Sequence, residues 1–384
     1  MKKALAVLLS FLIILTLSGC SSLMDAVFPE LKRPAGESGS PDEWGYLELP
    51  EGTVIIDGGQ DFAAVRQAMQ DALSRREKHV AVKNYIPFDW RDFYAFEYST
   101  FWLDSYTAYH SLFARLKGDT ETSSVYIYEF KYADLLDSEI ELMKTKIDVA
   151  ASRIASKVPK DADVWQKAKI VHDELCRLVT YDKSLSQPHC HDSYGALVNG
   201  NAVCSGYACA FTTVMSRLGE FCPIVYSEDH AWNRIGARTY EEFIDVTWDD
   251  TGHADKDGNE YISYAYFGLT REEVLKVDSH SITGGSDAVL DYAADPIAFN
   301  YYKHEGYYLT GYNENTIVRK LKEQLGSGSN MLTLRFDDEG WKKVKAWEED
   351  SSALRAILGR VGVEGRFSFW FTDDFNVVCI GLNK

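Results

Sequence analysis

The feature that most constrains the fold is a change of pattern in the middle of the chain, where one helix is followed by short strands. Apolar residues recur at helical spacing from Tyr207 to Leu218, and Gly219 predicts the end of that helix. Three short apolar segments then predict strands of one antiparallel sheet, at 223–226, 231–235 and 242–247. The pattern therefore predicts an α+β core in which the helix lies against an antiparallel sheet.

The chain is long enough for more than one core. It has 384 residues, 46% of them hydrophobic, which exceeds what a single core usually fills. A further helix is predicted at 164–178, and elements of small flanking α/β domains are predicted at 53–56, 62–75, 79–85, 125–132, 317–325, 331–336, 367–371 and 377–382. We expect an N-terminal α/β domain at residues 50–160, the α+β core at 161–292 and a C-terminal α/β domain at 293–384.

The N-terminus has the pattern of an export signal. Lys2 and Lys3 give it a positive start, and the apolar run that follows, from Ala4 to Leu17, is shorter than the roughly 20 residues that span a bilayer. The run ends in Leu17-Ser18-Gly19-Cys20, which resembles the lipidation signal of bacterial lipoproteins; the alternative is an uncleaved helical anchor. We expect a signal peptide at 1–19, lipidation of Cys20 and a flexible tether at 20–49. The protein would then be extracytoplasmic, and a lipid anchor alone would attach it to a bacterial membrane.

The charge of the chain excludes one class of partner. It carries 40 basic and 58 acidic residues, a formal net charge of −18. A field of that sign repels phosphate backbones, so we expect no binding to nucleic acid. Six cysteines follow Cys20, and although export permits disulfides, the sequence does not fix any pairing.

Cys204 stands at the predicted start of the central helix, which is where a thiol becomes a useful nucleophile. A helix N-terminus carries partial positive charge and free backbone N–H groups, which stabilise a thiolate and a developing oxyanion. The thiol also needs a base, and the base needs an orienting acceptor. His230 and Asp245 lie on predicted strands that follow the helix, so an antiparallel sheet can bring their side chains together. A lone cysteine at a helix start is usually only a small apolar residue, and this histidine and aspartate favour the nucleophile.

These residues belong to motifs that resemble the bacterial transglutaminase-like superfamily over roughly residues 165–252. The motifs are Tyr194-Gly195-Ala196-Leu197, Val203-Cys204-Ser205-Gly206-Tyr207-Ala208, His230-Ala231-Trp232-Asn233 and Asp245-Val246-Thr247-Trp248-Asp249-Asp250. The resemblance implies a papain-like core with Cys204 as nucleophile, His230 as base and Asp245 as orienting acid. One departure is Ser205, where many relatives carry a longer polar residue such as Gln.

The resemblance also implies a reaction class. It is attack on an amide carbonyl of a protein or peptide at the cell envelope through an acyl-thioester, as in a cysteine peptidase or a protein-glutamine acyltransferase. Water or an amine would resolve the thioester, and the sequence does not show which. No cofactor and no metal are expected. The alternative from another class is an inactive transglutaminase-like binding module, against which the complete Cys-His-Asp set argues.

Two local alternatives remain open in the sequence. Asp249 or Asp250 could orient His230 in place of Asp245, which would then only belong to a turn. The run His189-Cys190-His191 could ligate a soft metal, but no paired spacing completes such a site, and a polar loop is favoured.

Overall fold

The chain is α+β, with helices and several small sheets interleaved along its length. The structure, a computed structural model, describes residues 51–57, 68, 71–73, 75–83, 109–117, 124–132, 135–220, 222–227, 229–237, 240–280 and 299–383. Within that part of the chain, no helix is both long and apolar enough to cross a bilayer. The α-helices are α1 (Asp137–Ala155), α2 (Val164–Leu178), α3 (Cys204–Arg217), α4 (Val246–Asp249), α5 (Arg271–Val274), α6 (Tyr301–His304), α7 (Glu314–Gly326), α8 (Asp338–Val344), α9 (Ala346–Glu349) and α10 (Ser352–Val361).

Among the described residues, the strands form three four-stranded sheets and two short pairs. They are β1 (Val54–Asp57), β2 (His79–Lys83), β3 (Tyr109–Lys117), β4 (Ser124–Lys131), β5 (Thr180–Tyr181), β6 (Asn201–Ala202), β7 (Ile224–Tyr226), β8 (Ala231–Ala237), β9 (Tyr240–Ile244), β10 (Asp250–Ala254), β11 (Glu260–Ile262), β12 (Phe267–Thr270), β13 (Tyr308–Leu309), β14 (Met331–Phe336), β15 (Arg366–Thr372) and β16 (Val377–Asn383). The central sheet has the order β12-β9-β8-β7, and all its pairings are antiparallel.

Helix α3 lies against the central sheet, and this arrangement positions the candidate site. Every residue of α3 from Cys204 to Thr212 is buried. Burial of consecutive residues means that neighbouring elements cover the helix on several sides. The sheet covers one side, and α1 and α2 cover others. The predicted α+β class is observed, and helix α3 contacts strand β8 of the antiparallel sheet.

Several predicted elements are observed close to their expected bounds. Helix α2 and strand β14 cover the predicted residues, and β15 and β16 form the predicted antiparallel pair. One strand differs: the segment predicted to be extended to Thr247 ends as a strand at Ile244. The reason is local, because the Asp245 side chain accepts a hydrogen bond from the backbone N–H of Trp248 and starts the single turn α4.

The two flanking sheets have the same topology. In the N-terminal sheet the order is β1-β2-β4-β3, and in the C-terminal sheet it is β13-β14-β16-β15. In both, the first pair is parallel and the other two pairs are antiparallel.

The hydrophobic core around α3 extends beyond the predicted central domain. Ile154 of α1 belongs to it, as do Met331 and Cys379 of the C-terminal sheet. The Tyr261 hydroxyl donates to the Leu382 carbonyl oxygen at 3.0 Å, and a Cβ added to Gly381 would lie 2.9 Å from the Tyr261 ring. The domain boundaries at 160/161 and 292/293 stay predictions, and the packing crosses both.

The predictions for the N-terminus fall on residues that the structure does not describe. These are the signal peptide at 1–19, the lipidated Cys20 and the tether at 20–49. Most of the helix predicted at 62–75 also lies outside the described residues.

Candidate active site

Cys204 is the first residue of helix α3, as the sequence predicted. The preceding residue, Val203, has an extended backbone and no side-chain oxygen to cap the helix, and the first turn of α3 contains no acidic residue. The first backbone hydrogen bond of the helix runs from the Tyr207 N–H to the Val203 oxygen at 3.1 Å. The preceding N–H groups at the helix start therefore have no acceptor within the helix, and they can stabilise a negative charge on sulfur or on an oxyanion.

The loop before the helix passes unusually close to its first turn, at Gly206. A Cβ at this position would lie 2.5 Å from the Cys190 carbonyl oxygen and 2.7 Å from the Ala202 Cβ. Only glycine leaves room for this approach, because a methyl group would have to displace backbone. The glycine thus lets the chain from Cys190 to Ala202 lie across the helix start, which leaves Cys204 only 9% exposed.

His230 and Asp245 are brought together by the ends of two neighbouring strands. His230 directly precedes β8 and Asp245 directly follows β9, and the two strands are antiparallel with Asn233 opposite Ile244. The start of β8 and the end of β9 therefore meet at one edge of the sheet. Both residues were predicted to lie on strands, and both lie one residue outside them. The turn before β8 holds His230 by a hydrogen bond from the Ser227 N–H to the His230 oxygen at 2.9 Å.

The two side chains form a direct buried pair. His230 Nε2 lies 2.6 Å from Asp245 Oδ2, and Asp245 Oδ1 accepts from the Trp248 N–H at 3.1 Å. Burial alone would raise the pKa of Asp245, but the His230 and His280 rings outweigh it and hold that pKa well below its usual range. An ionised carboxylate only accepts, so Nε2 of His230 carries a hydrogen and its other nitrogen is left for the thiol.

The Asp245 carboxylate favours the protonated form of His230. Burial on its own lowers the pKa of His230, but the Asp245 carboxylate outweighs burial and raises it to about 10. Cys204 adds to the rise through a hydrogen bond and its charge. A charged imidazolium beside Cys204 would stabilise the thiolate form of the nucleophile.

A buried amide fixes the distance between the helix and the sheet. The Asn233 side chain donates to the Ala208 carbonyl oxygen at 3.1 Å and to Thr212 Oγ1 at 2.9 Å. Asn233 lies on β8 three residues after His230, and Ala208 lies on α3 four residues after Cys204. These hydrogen bonds therefore hold the strand that follows His230 against the helix that begins with Cys204.

The sequence reasoning missed His280, a second histidine on Asp245. Its Nε2 lies 2.8 Å from the same Oδ2 that His230 contacts, and the ring is fully buried. Nothing in the sequence singles it out, because it follows Asp245 by 35 residues in a short 3-10 turn, Asp278–His280, with no motif. Only the tertiary fold brings it to the site.

His230, Asp245 and His280 are also the described residues that could hold a metal ion, since their ligand atoms lie within 4.8 Å of one another. The two contacts to Oδ2, at 2.6 and 2.8 Å, are hydrogen-bond lengths. Ligand atoms around a tetrahedral zinc ion lie about 3.3 Å apart, given metal–ligand distances of about 2.0–2.1 Å. The three side chains are therefore arranged as a hydrogen-bonded set rather than as a preformed metal cage.

The two alternative carboxylates contact other partners. Asp249 Oδ2 lies 3.2 Å from His172 Nε2, and its Oδ1 accepts from the Tyr266 N–H at 3.0 Å. The Asp250 carboxylate accepts from the Tyr207 hydroxyl at 2.5 Å. Asp249 ties the turn α4 to helix α2, so it supports the backbone next to Asp245 and not the ring of His230.

The other cysteines lie in surroundings that suppress the thiolate. All six described cysteines are free thiols and buried. Burial raises the pKa of Cys176, Cys209 and Cys222 well above the ordinary value, and it raises those of Cys190 and Cys379 to about 11 and about 12. We therefore expect none of these five to compete as a nucleophile near neutral pH.

The histidine loop before the helix is held by polar side chains. His189 Nδ1 lies 2.8 Å from Asp192 Oδ2, and His191 Nδ1 lies 3.1 Å from the hydroxyl of Ser205. The Ser205 hydroxyl is therefore turned toward this loop. The run His189-Cys190-His191 does not belong to the metal-capable group found among the described residues.

The chain has distant likenesses among solved structures. No protein-family model matches the chain, and no curated protein matches it. A crystal structure of menin, which reveals the binding site for the Mixed Lineage Leukemia protein, is 24% identical over 33% of this chain and 30% of that chain, with a TM-score of 0.25. A crystal structure of a TGase is 15% identical over 54% of this chain and 62% of that chain, with a TM-score of 0.26. The chain thus spans less than two thirds of either structure, and at these TM-scores neither likeness carries an argument.

Proposed function

We propose that this chain is a thiol enzyme of the transglutaminase-like type, with a papain-like core, that attacks amide carbonyls of a protein or peptide at the cell envelope. The observation that carries the proposal is the conjunction of Cys204 at an uncapped helix start with the His230–Asp245 pair, whose nitrogen and oxygen are 2.6 Å apart. A nucleophile, a base and an orienting acid, each in hydrogen-bond reach of the next, are the requirements for acyl transfer.

The steps follow from the groups present. The Cys204 thiolate attacks the amide carbon, and the oxygen takes up negative charge, which the N–H groups at the start of α3 stabilise. His230 gives its proton to the departing nitrogen as the C–N bond breaks, which leaves an acyl-thioester on Cys204 and a free amine. Water or a second amine then attacks the thioester, His230 takes the proton from the attacker, and the thiolate returns to Cys204.

We expect Cys204 to be the fastest-reacting thiol of the protein at about pH 6. The cause is the imidazolium of His230, which stabilises the thiolate while the other five cysteines remain protonated. The measurement is timed alkylation by chloroacetamide, read for each cysteine by peptide mass spectrometry.

The control for access is His230→Asn, which leaves Cys204 as open as before but removes the base. The Cys204 rate should fall in that variant. If Cys204 reacts no faster than Cys209 or Cys222, or if its rate is unchanged in His230→Asn, the proposed function is wrong.

We also propose that the protein acts outside the cytoplasm, anchored to a bacterial membrane by lipid on Cys20. The support is the Leu17-Ser18-Gly19-Cys20 pattern after a short apolar run. The full chain, expressed in a bacterium, should be recovered in the membrane fraction with a lipidated N-terminal Cys20, and Cys20→Ser should release it. An unmodified Cys20 or a mature N-terminus at another residue would contradict the anchor.

A further inference from the structure

His280 occupies a position that the proposed chemistry does not yet use. Its Nε2 lies 2.8 Å from Asp245 Oδ2, and the ring has no exposed surface. Because the pKa of Asp245 is held well below its usual range, the carboxylate accepts and His280 donates. Asp245 Oδ2 therefore accepts two hydrogen bonds, one from each histidine.

The surroundings of His280 fix its ring rather than leave it free to move. Its centroid lies 4.6 Å from that of Trp232, 4.8 Å from that of Trp248 and 5.8 Å from that of Tyr266. Its Nδ1 lies 3.2 Å from the Ser279 hydroxyl, which can donate to it. A ring packed on three sides, with a partner on each nitrogen, presents Nε2–H to Asp245 in one orientation.

The geometry distinguishes the two histidines. His230 directly precedes strand β8, which lies against the helix that begins with Cys204. The Nε2–H of His280 donates to Asp245, and its Nδ1 can accept from the Ser279 hydroxyl. Neither nitrogen is therefore available to take a proton from the thiol. His280 therefore acts on the site through Asp245.

We propose that His280 is a positioning residue that holds the Asp245 carboxylate in the orientation needed by His230; this rests on the proposed thiol mechanism. Oδ1 of Asp245 accepts from the Trp248 N–H, and Oδ2 accepts from His280. Each carboxylate oxygen therefore has a donor other than His230. Orienting the partner of a catalytic histidine preserves its tautomer and its basicity. The titratable groups facing Asp245 among the described residues are His230, His280 and Tyr266.

The test compares two replacements of His280 in the full chain. His280→Phe keeps a flat buried ring but has no donor, and His280→Gln can place an amide N–H near the former Nε2. The readout is the rate of Cys204 alkylation by chloroacetamide across a pH series, which needs no substrate. We expect the alkylation rate of His280→Phe at about pH 6 to fall by about 10-fold, which corresponds to a rise of about one unit in the pH of half-maximal rate. The pH of half-maximal rate should rise, because a less basic His230 stabilises the thiolate less. His280→Gln should lie closer to the wild type on both measures.

The outcomes separate this inference from the proposed function. If wild-type Cys204 is no more reactive than the other cysteines, the proposed function fails, and with it the mechanism on which this inference rests. If wild-type Cys204 is reactive and His280→Phe has the same pH profile, only the role of His280 fails. Equal losses in the Phe and Gln variants would mean that His280 matters only for its shape. A loss of Cys204 alkylation rate as large as that of His230→Asn would mean that His280 is itself the base. Either result overturns the proposal. If His280→Phe does not fold, His280→Asn, whose shorter amide does not reach Asp245, replaces it.

Discussion

Cys204→Ala is expected to abolish acyl transfer while leaving the fold intact. The substitution removes only a sulfur atom from a position at the helix start, and alanine is the best helix former. Without the nucleophile no acyl-thioester can form, so we expect the rate to fall by about four orders of magnitude or more. The measurement is mass spectrometry of envelope proteins from cells with the wild type or the variant, which detects cleaved peptides or new isopeptide links.

Cys209→Ala is the matched control for this experiment. It makes the same chemical change on the same helix, at a buried cysteine whose pKa is raised by its surroundings. We expect it to retain the wild-type pattern of envelope modifications. If Cys204→Ala also retains that pattern, the catalytic role fails and the chain is better described as a binding module on an enzyme scaffold.

Asp245→Asn is expected to lower activity by about three to four orders of magnitude, since the analogous change in a catalytic triad imposes the wrong tautomer on the histidine. The Asn oxygen can still accept from the Trp248 N–H and start α4. The amide nitrogen can then face His230 Nε2 only as a donor, where the wild-type carboxylate accepts. The fold should survive with a loss of roughly 1–3 kcal/mol, the cost of an unmade buried hydrogen bond. The measurement is kcat/KM together with thermal unfolding.

The pH dependence of activity provides a second test of Asp245→Asn. The protonated form of His230 gives the proton to the departing nitrogen, so activity is lost as pH rises through the pKa of His230, which lies at about 10. Removing the Asp245 charge removes the main cause of that rise. The alkaline limb of the residual activity should therefore move to lower pH in Asp245→Asn.

Asp250→Asn is the control for Asp245→Asn, because the Asp250 carboxylate contacts Tyr207 and not a histidine of the site. It should keep both the rate and the alkaline limb. If Asp249→Asn or Asp250→Asn loses as much activity as Asp245→Asn, the orienting role of Asp245 is wrong.

The elements that the sequence predicts best are those whose signals are local. Helix α2 was predicted at its observed bounds because its apolar residues repeat at helical spacing. In the structure the Asp163 side chain also caps its start. The start of α3 at Cys204 was also predicted. Three helices between 338 and 361 were not predicted. Two of them are short. The apolar residues that the three helices bury, such as Trp347 and Leu354, pack in one core with the C-terminal sheet, and this tertiary packing is not visible in the local sequence pattern.

The part of the candidate site that could be predicted is the part in which the order of the strands along the chain places two residues close together. Adjacent antiparallel strands bring His230 and Asp245 together whichever residue ends each strand, so an error of one residue in the strand bounds did no harm. The position of Asp245 as the N-cap of α4 could not be predicted. The capping of a single turn depends on hydrogen bonds that the spacing of apolar residues does not reveal. His280 was inaccessible for a stronger reason: its partner is set by the path of the chain after β12 and not by any spacing.

The packing between the central sheet and the C-terminal sheet determines how the protein responds to truncation or proteolysis. Met331 and Cys379 fill the same interior as the helix that carries the thiol, and Gly381 admits the Tyr261 ring at a distance that no larger residue would allow. The helix that begins with Cys204 and part of the C-terminal sheet therefore belong to one hydrophobic core, and we expect them to unfold together. We expect a truncation or a proteolytic cut in the C-terminal segment to unfold the helix that begins with Cys204. The central segment should therefore not keep its structure when it is expressed alone.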